Sequence, residues 1–87
     1  TVIRRHRRIE GAGEFDAAIK LGANNTIEAV DLSGDFFLLG NPAKEIFSAL
    51  QGITYERDAI RQALGGTNVA TVIAGLSTES LLNILTD

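Results

Sequence analysis

From Glu14 the chain alternates, with Phe15, Ala17, Ile19 and Leu21 on one side and Glu14, Asp16, Ala18 and Lys20 on the other. A period of two predicts a half-buried strand over 14–21. "GANN", 22–25, supplies Gly and Asn residues that tolerate positive φ, and a second β-like run, "TIEAVDLS", follows at once. The two runs are expected to form a hairpin. Within the second run the alternation changes phase, Ile27 and Ala29 on one parity, Val30 and Leu32 on the other; a β-bulge near Ala29 reconciles them. Upstream, "VIRRHRRIE" has β-branched ends around a charged middle and leads through the glycine-rich "EGAG" into the next strand. It is assigned as an edge strand, where long arginines discourage pairing with other chains. The expected sheet is a three-stranded antiparallel meander over 2–9, 14–21 and 26–32, the last strand extending as far as Phe37.

After Gly40 the period becomes helical. Asn41 fits an N-cap and Pro42 a first helical position, with Ile46, Phe47 and Leu50 as the apolar stripe and Gly52 as the stop. Thr54 is expected to cap a second helix running to about Leu64, with Ala59, Ile60, Ala63 and Leu64 inward and Gly65–Gly66 ending it. Val69, Val72, Ile73 and Leu76 recur at i, i+3, i+4 and i+7, a third, short helix. Ser77 caps the last, whose inner face is Leu81, Leu82 and Leu85, with Glu79 near the positive end of its dipole. The fold class is therefore α+β: three antiparallel strands, then three to four helices covering one face of the sheet, in a single domain over 1–87.

Composition narrows the function classes. At 87 residues, 45% apolar and 22% charged, the chain is one ordinary globular domain with a modest core. It has no Cys, which removes disulfides, thiolate metal sites and cysteine nucleophiles, and fits a reducing cytoplasm. No apolar run approaches the roughly 18 to 20 residues of a membrane span, and the N-terminus lacks the apolar stretch of a secretory signal. A cytoplasmic protein with no membrane partner is expected. The chain opens on Thr1 rather than Met, so a piece of a longer protein is expected too. The net charge of −3 is uneven: Arg4, Arg5, Arg7 and Arg8 crowd the first ten residues while the rest is acidic. Binding to nucleic acid calls for a basic face across the fold, so no nucleic-acid partner is expected.

No constellation composes an active site. The one histidine, His6, lies inside the arginine run, where neighbouring positive charge is expected to depress its pKa; it reads as a solvated strand residue and a poor general base. Asp16, Asp31 and Asp35 do not follow calcium-loop spacing, and the glycine-rich stretches match no phosphate-loop pattern; they read as turns and a helix stop. Two features remain. The four arginines could face an anionic ligand or an acidic partner, or simply be solvated. In "GDFF", Gly34 to Phe37, adjacent phenylalanines of a strand point to opposite faces. One ring can enter the core; the other either joins a satellite cluster with Leu38, Leu39 and Phe47 or fills a pocket on a partner. Asp35 is read as a turn-forming residue whose carboxylate accepts backbone N–H bonds where sheet gives way to helix.

The basic opening "IRRHRRIEGAG", the strand "EFDAAIKL", then "NTIEAVDLSGDFF", "ALQGITYERDAIRQAL" and the close "IAGLSTESLLNIL" resemble the C-terminal domain of bacterial lipoate–protein ligases. The most specific part is I-x-x-V-x-L-x-G-D-F-F from Ile27 to Phe37, followed by L-x-G-x-x-Y from Leu50 to Tyr55. The likeness covers nearly the whole chain, though "RRHRR" is more basic than the family pattern requires, and "FLLGNP" and "GGTNVATV" depart from it. The resemblance implies a fold similar to sulfur-acceptor and iron–sulfur scaffold proteins. It also implies a non-catalytic lid, packing on a catalytic domain in cis or as a separate subunit. That domain would use Mg-ATP to activate lipoate to lipoyl-AMP before transfer to a lysine of a lipoyl carrier domain. No cofactor is expected on this domain alone; ATP, Mg and lipoate belong to the full ligase. Gly34, Asp35, Phe36 and Phe37 are expected at the partner-domain interface, and some of Arg4, Arg5, Arg7 and Arg8 beside it. The alternative is a free-standing interaction or scaffold module of the iron–sulfur type, against which the missing cysteines weigh.

Overall fold

The computed structural model describes residues 1–87. Three strands, β1 (Val2–Ile9), β2 (Gly13–Leu21) and β3 (Ile27–Phe36), pair antiparallel in the order β1-β2-β3. The expected meander is present. The β2–β3 register runs from Gly13↔Phe36 to Lys20↔Ala29 and then slips to Leu21↔Ile27, leaving Glu28 as the extra residue of a bulge beside Ala29. With that slip, Ile27, Val30, Leu32 and Phe36 all share the parity of Phe15, Ala17 and Ile19, and the phase change in the sequence is absorbed. The hairpin turn at Ala23–Asn25 uses positive φ at Asn24 and Asn25, +59° and +58°, which Asn tolerates.

Helices cover one face. α1 (Pro42–Glu45), α2 (Arg57–Ala63) and α3 (Thr78–Thr86) are joined by 3-10 turns at Phe47–Leu50 and Val69–Thr71. The core is apolar throughout: Phe15, Ala17 and Ile19 of β2 meet Ile46, Leu50, Ile60, Leu64, Val69, Val72, Ile73, Leu76 and the α3 stripe Leu81, Leu82, Ile84, Leu85. Each Val, Leu, Ile or Phe among them contributes about 1.5 to 3 kcal/mol of transfer free energy. Ser77 caps α3 by accepting the Ser80 N–H at 3.0 Å, and Asn41 caps α1 by accepting from Lys44 at 3.3 Å, both as the sequence predicts.

Three helix expectations are corrected. The helix expected from Pro42 to Gly52 lasts one turn, because residues 52–54 are drawn into sheet-like pairing with the start of β3. The Gly52 N–H donates to the Ile27 carbonyl at 2.7 Å and the Ile27 N–H to the Ile53 carbonyl at 2.8 Å. Thr54 bridges Thr26 and so does not cap α2, which begins at Arg57 with no side-chain cap. The segment expected to be helical from Val69 to Leu76 forms only a 3-10 turn, since Ile73 bridges Leu38 and the Val72 carbonyl takes the Leu39 and Gly40 N–H groups. Its four apolar positions are nonetheless all buried.

At the Phe36 end, β2 and β3 cross closely. Gly13 and Gly34 have φ of +133° and +129°, and a Cβ on either would overlap a carbonyl oxygen of the facing strand, that of Asp35 or of Glu14. Each glycine sits opposite a phenylalanine, Gly13 opposite Phe36 and Gly34 opposite Phe15. The room left is filled by the two rings, which stack diagonally with centroids 4.6 Å apart and an interplanar angle of 22°.

Candidate functional site

Strand alternation sorts the arginines. Arg5 and Arg7 share the helix-facing side of β1 with Ile3 and Ile9 and are half-buried; Arg4 and Arg8 lie on the open face with His6. Arg5 Nε donates to the Ile84 carbonyl at 3.0 Å, and Arg7 Nη2 pairs with the Asp87 carboxylate at 3.0 Å. Two of the four expected contact arginines thus close the C-terminal end of α3, where the helix dipole and free carbonyls favour cations. Tyr55 adds a hydroxyl donated to the Leu85 carbonyl, and Arg57 Nη2 donates to Asn83 Oδ1 at 2.7 Å. Arg61 and Arg57 both pair with Glu79, tying α2 to α3 and holding the Glu79 carboxyl below its usual range, chiefly through its hydrogen bond to Arg61.

The open face reads in rows across the three strands: Arg4, Ala18, Asp31; His6, Asp16, Ser33; Arg8, Glu14, Asp35. A shallow depression of about 360 Å³ lies over the small Ala18, between Arg4 on one side and Asp31 on the other. His6 Nδ1 lies 2.8 Å from Asp16 Oδ1, and Nε2 lies 3.9 Å from Glu14. The imidazole pKa is therefore raised, first by the Asp16 hydrogen bond and then by its charge. This reverses the expected depression. Arg5 and Arg7 point to the other face, while the acids stand directly across on β2.

"GDFF" separates residue by residue. Gly34 is required by the close strand crossing. Asp35 is exposed and sits within β3, opposite Glu14, with no hydrogen bond donated to its carboxylate; the expected turn-capping role is overturned because the strand continues through it. Phe36 is half-buried on Phe15. Phe37 is 80% exposed, and Leu38 and Leu39 follow at 53% and 63%. These three are not a loose tail. The Phe37 carbonyl accepts the Ala74 N–H at 3.0 Å and the Leu39 N–H donates to the Val72 carbonyl at 2.7 Å, so the backbone is clamped while the side chains stay in water. Leu38 and Leu39 were expected only as possible cover for a ring. What marks them in the sequence is four consecutive apolar residues between a strand and a capped helix, more than one face of either element can bury.

A contiguous exposed run of Phe, Leu and Leu on a fixed backbone is the kind of surface that another protein surface covers. The family model for the C-terminus of bacterial lipoate protein ligase matches residues 2–85. The chain belongs to that family. A search of curated proteins finds no significant match. Membership in the lipoate protein ligase C-terminal family gives this domain an accessory role and implies a catalytic domain as its partner. No helix is long and apolar enough to cross a membrane.

Proposed function

We propose that this domain is the lid of a lipoate–protein ligase, docking on the catalytic domain through Phe37, Leu38 and Leu39 and supporting ATP-dependent formation of lipoyl-AMP. The observation that carries the reading is the exposed apolar triplet held by backbone bonds to Val72 and Ala74. A clamped segment loses little conformational entropy on docking, so its apolar area converts efficiently into affinity. Phe36, the residue before the triplet, is half-buried and stacks on Phe15.

The contribution to chemistry is enclosure. A mixed carboxylic–phosphoric anhydride hydrolyses readily, and a lid that excludes water protects it and strengthens the electrostatic interactions of the site it covers. This chain's own residues do not fit a nucleotide or its metal. On the open face, Arg4 and Arg8, the two arginines without internal partners, share the surface with Glu14, Asp16, Asp31 and Asp35, and the acids outnumber them. Binding of ATP, Mg and lipoate therefore falls to the catalytic domain, as does transfer to the carrier lysine.

The test is lipoyl-AMP formation, followed as pyrophosphate release, by the catalytic domain with this chain present, absent, or carrying Phe37→Ala. The lid reading expects loss of adenylate formation without the chain and partial loss with the variant. Equal rates in all three would refute it.

A further inference from the structure

Glu14 and Asp35 are direct cross-strand partners on the open face of an antiparallel pair, a position that brings Cβ atoms to about 4.5 to 5.5 Å. Like charges directly opposite on a strand pair are destabilising, and the fold sets only one cationic contact beside this pair. Asp35 makes no ion pair, and the one cationic contact of Glu14 is His6 Nε2 at 3.9 Å. Arg8, in the same row, forms no ion pair with either. Elsewhere Lys20 pairs with Glu28, and Arg57 and Arg61 pair with Glu79. Like charges left opposite each other with no more than that one contact mark a site kept for something other than stability.

The place is telling. Asp35 is two residues before Phe37, about 7 Å along an extended chain. The like-charge pair therefore borders the exposed apolar triplet. Resting on the reading that the triplet faces the catalytic domain, we infer that the partner surface combines an apolar pocket for Phe37 with a guanidinium or ammonium group on its rim that bridges Glu14 and Asp35. Arginine suits the role best, since its planar fork can donate to two carboxylates at once. Docking converts a repulsive pair into a bridged one, so the charge pattern selects the partner and the apolar side chains hold it. This assigns Asp35 and Glu14 as specificity determinants of the docking surface.

The inference makes two effects of opposite sign. Asp35→Asn removes only charge, because the carboxylate has no internal partner. Thermal stability of the domain should rise, by a few degrees for a relieved cross-strand pair. Affinity for the catalytic domain should fall about three- to fivefold, and its salt dependence should flatten. Asp35→Lys should raise the melting temperature further, by pairing with Glu14, and weaken binding at least tenfold by repelling the partner's cation. Affinity is measured by titrating the catalytic domain with each variant at low and high salt, with Phe37→Ala in parallel. Unchanged affinity for both Asp35 variants, while Phe37→Ala still weakens binding, would overturn the charge inference and leave the lid reading intact. Unchanged affinity for all three would overturn both. An Asp35→Asn domain that is no more stable than its parent would show that the pair is already relieved, which also overturns the inference.

Discussion

Gly34→Ala probes the strand crossing on which the docking surface is built. A Cβ at Gly34 would overlap the Glu14 carbonyl oxygen and lie 3.1 Å from its carbonyl carbon and 3.4 Å from the Phe15 Cα. All three atoms are backbone, so relief requires β2 and β3 to part, lengthening ladder bonds beside the Phe15–Phe36 stack. The residue also holds φ at +129°, which alone costs a side chain about 1 to 3 kcal/mol. Together the two effects amount to roughly 3 kcal/mol or more, a large share of the about 4 to 13 kcal/mol expected for a domain this size. At about 4 to 8 °C per kcal/mol, the melting temperature should fall by about 12 to 24 °C. Gly52→Ala is the control: φ there is +82°, but nothing lies within 4 Å of the added Cβ, so only the dihedral cost applies. Thermal unfolding followed by circular dichroism compares the two. A Gly34→Ala melting point no lower than that of Gly52→Ala would refute the claim that close approach, rather than backbone conformation, fixes this glycine.

Other expectations are separable. Phe36→Ala should cost about 2 to 4 kcal/mol, less than the about 3 to 5 kcal/mol of a buried large aromatic because Phe36 is only half-buried, and unfolding in urea measures it. Tyr55→Phe removes the hydroxyl donated to the Leu85 carbonyl and should cost about 1 kcal/mol, read in the same assay. His6 should titrate above the usual imidazole range by NMR, and Asp16→Asn should bring it back. Because the folded pKa is raised, the stability His6 contributes is fully present below the unfolded pKa and disappears as pH rises through the folded one. In the Asp16→Asn domain that decline should vanish from the pH profile of stability.

The sheet was legible because its signals are local: alternation over 14–21, Asn residues at the turn, and a phase slip that only a bulge accommodates. The N-caps at Asn41 and Ser77 were legible for the same reason. The failures share one cause. Residues 52–54 read as a helix stop and an N-cap and residues 72–74 as helical, yet each segment makes backbone hydrogen bonds with a strand-like segment distant in sequence, Ile27 in one case and Phe37 to Gly40 in the other. Such pairing shortens helices while leaving the same side chains buried, so the core was readable where the elements were not. Of the candidate site, opposite facing of Phe36 and Phe37 followed from strand geometry. The partners of Arg5 and Arg7 did not, since they depend on where α3 ends relative to β1. Nor did the Glu14–Asp35 opposition, which exists only once register is known.

The claim that Phe37 anchors this domain to a catalytic partner is tested most directly by calorimetric titration of the catalytic domain with the parent chain and with Phe37→Ala. Phe37 is 80% exposed, so its truncation should leave the melting temperature within about 2 °C of the parent. The account predicts binding at least tenfold weaker for the variant, the loss expected of a central aromatic anchor. Equal affinity of the two proteins, each fully folded, would contradict it.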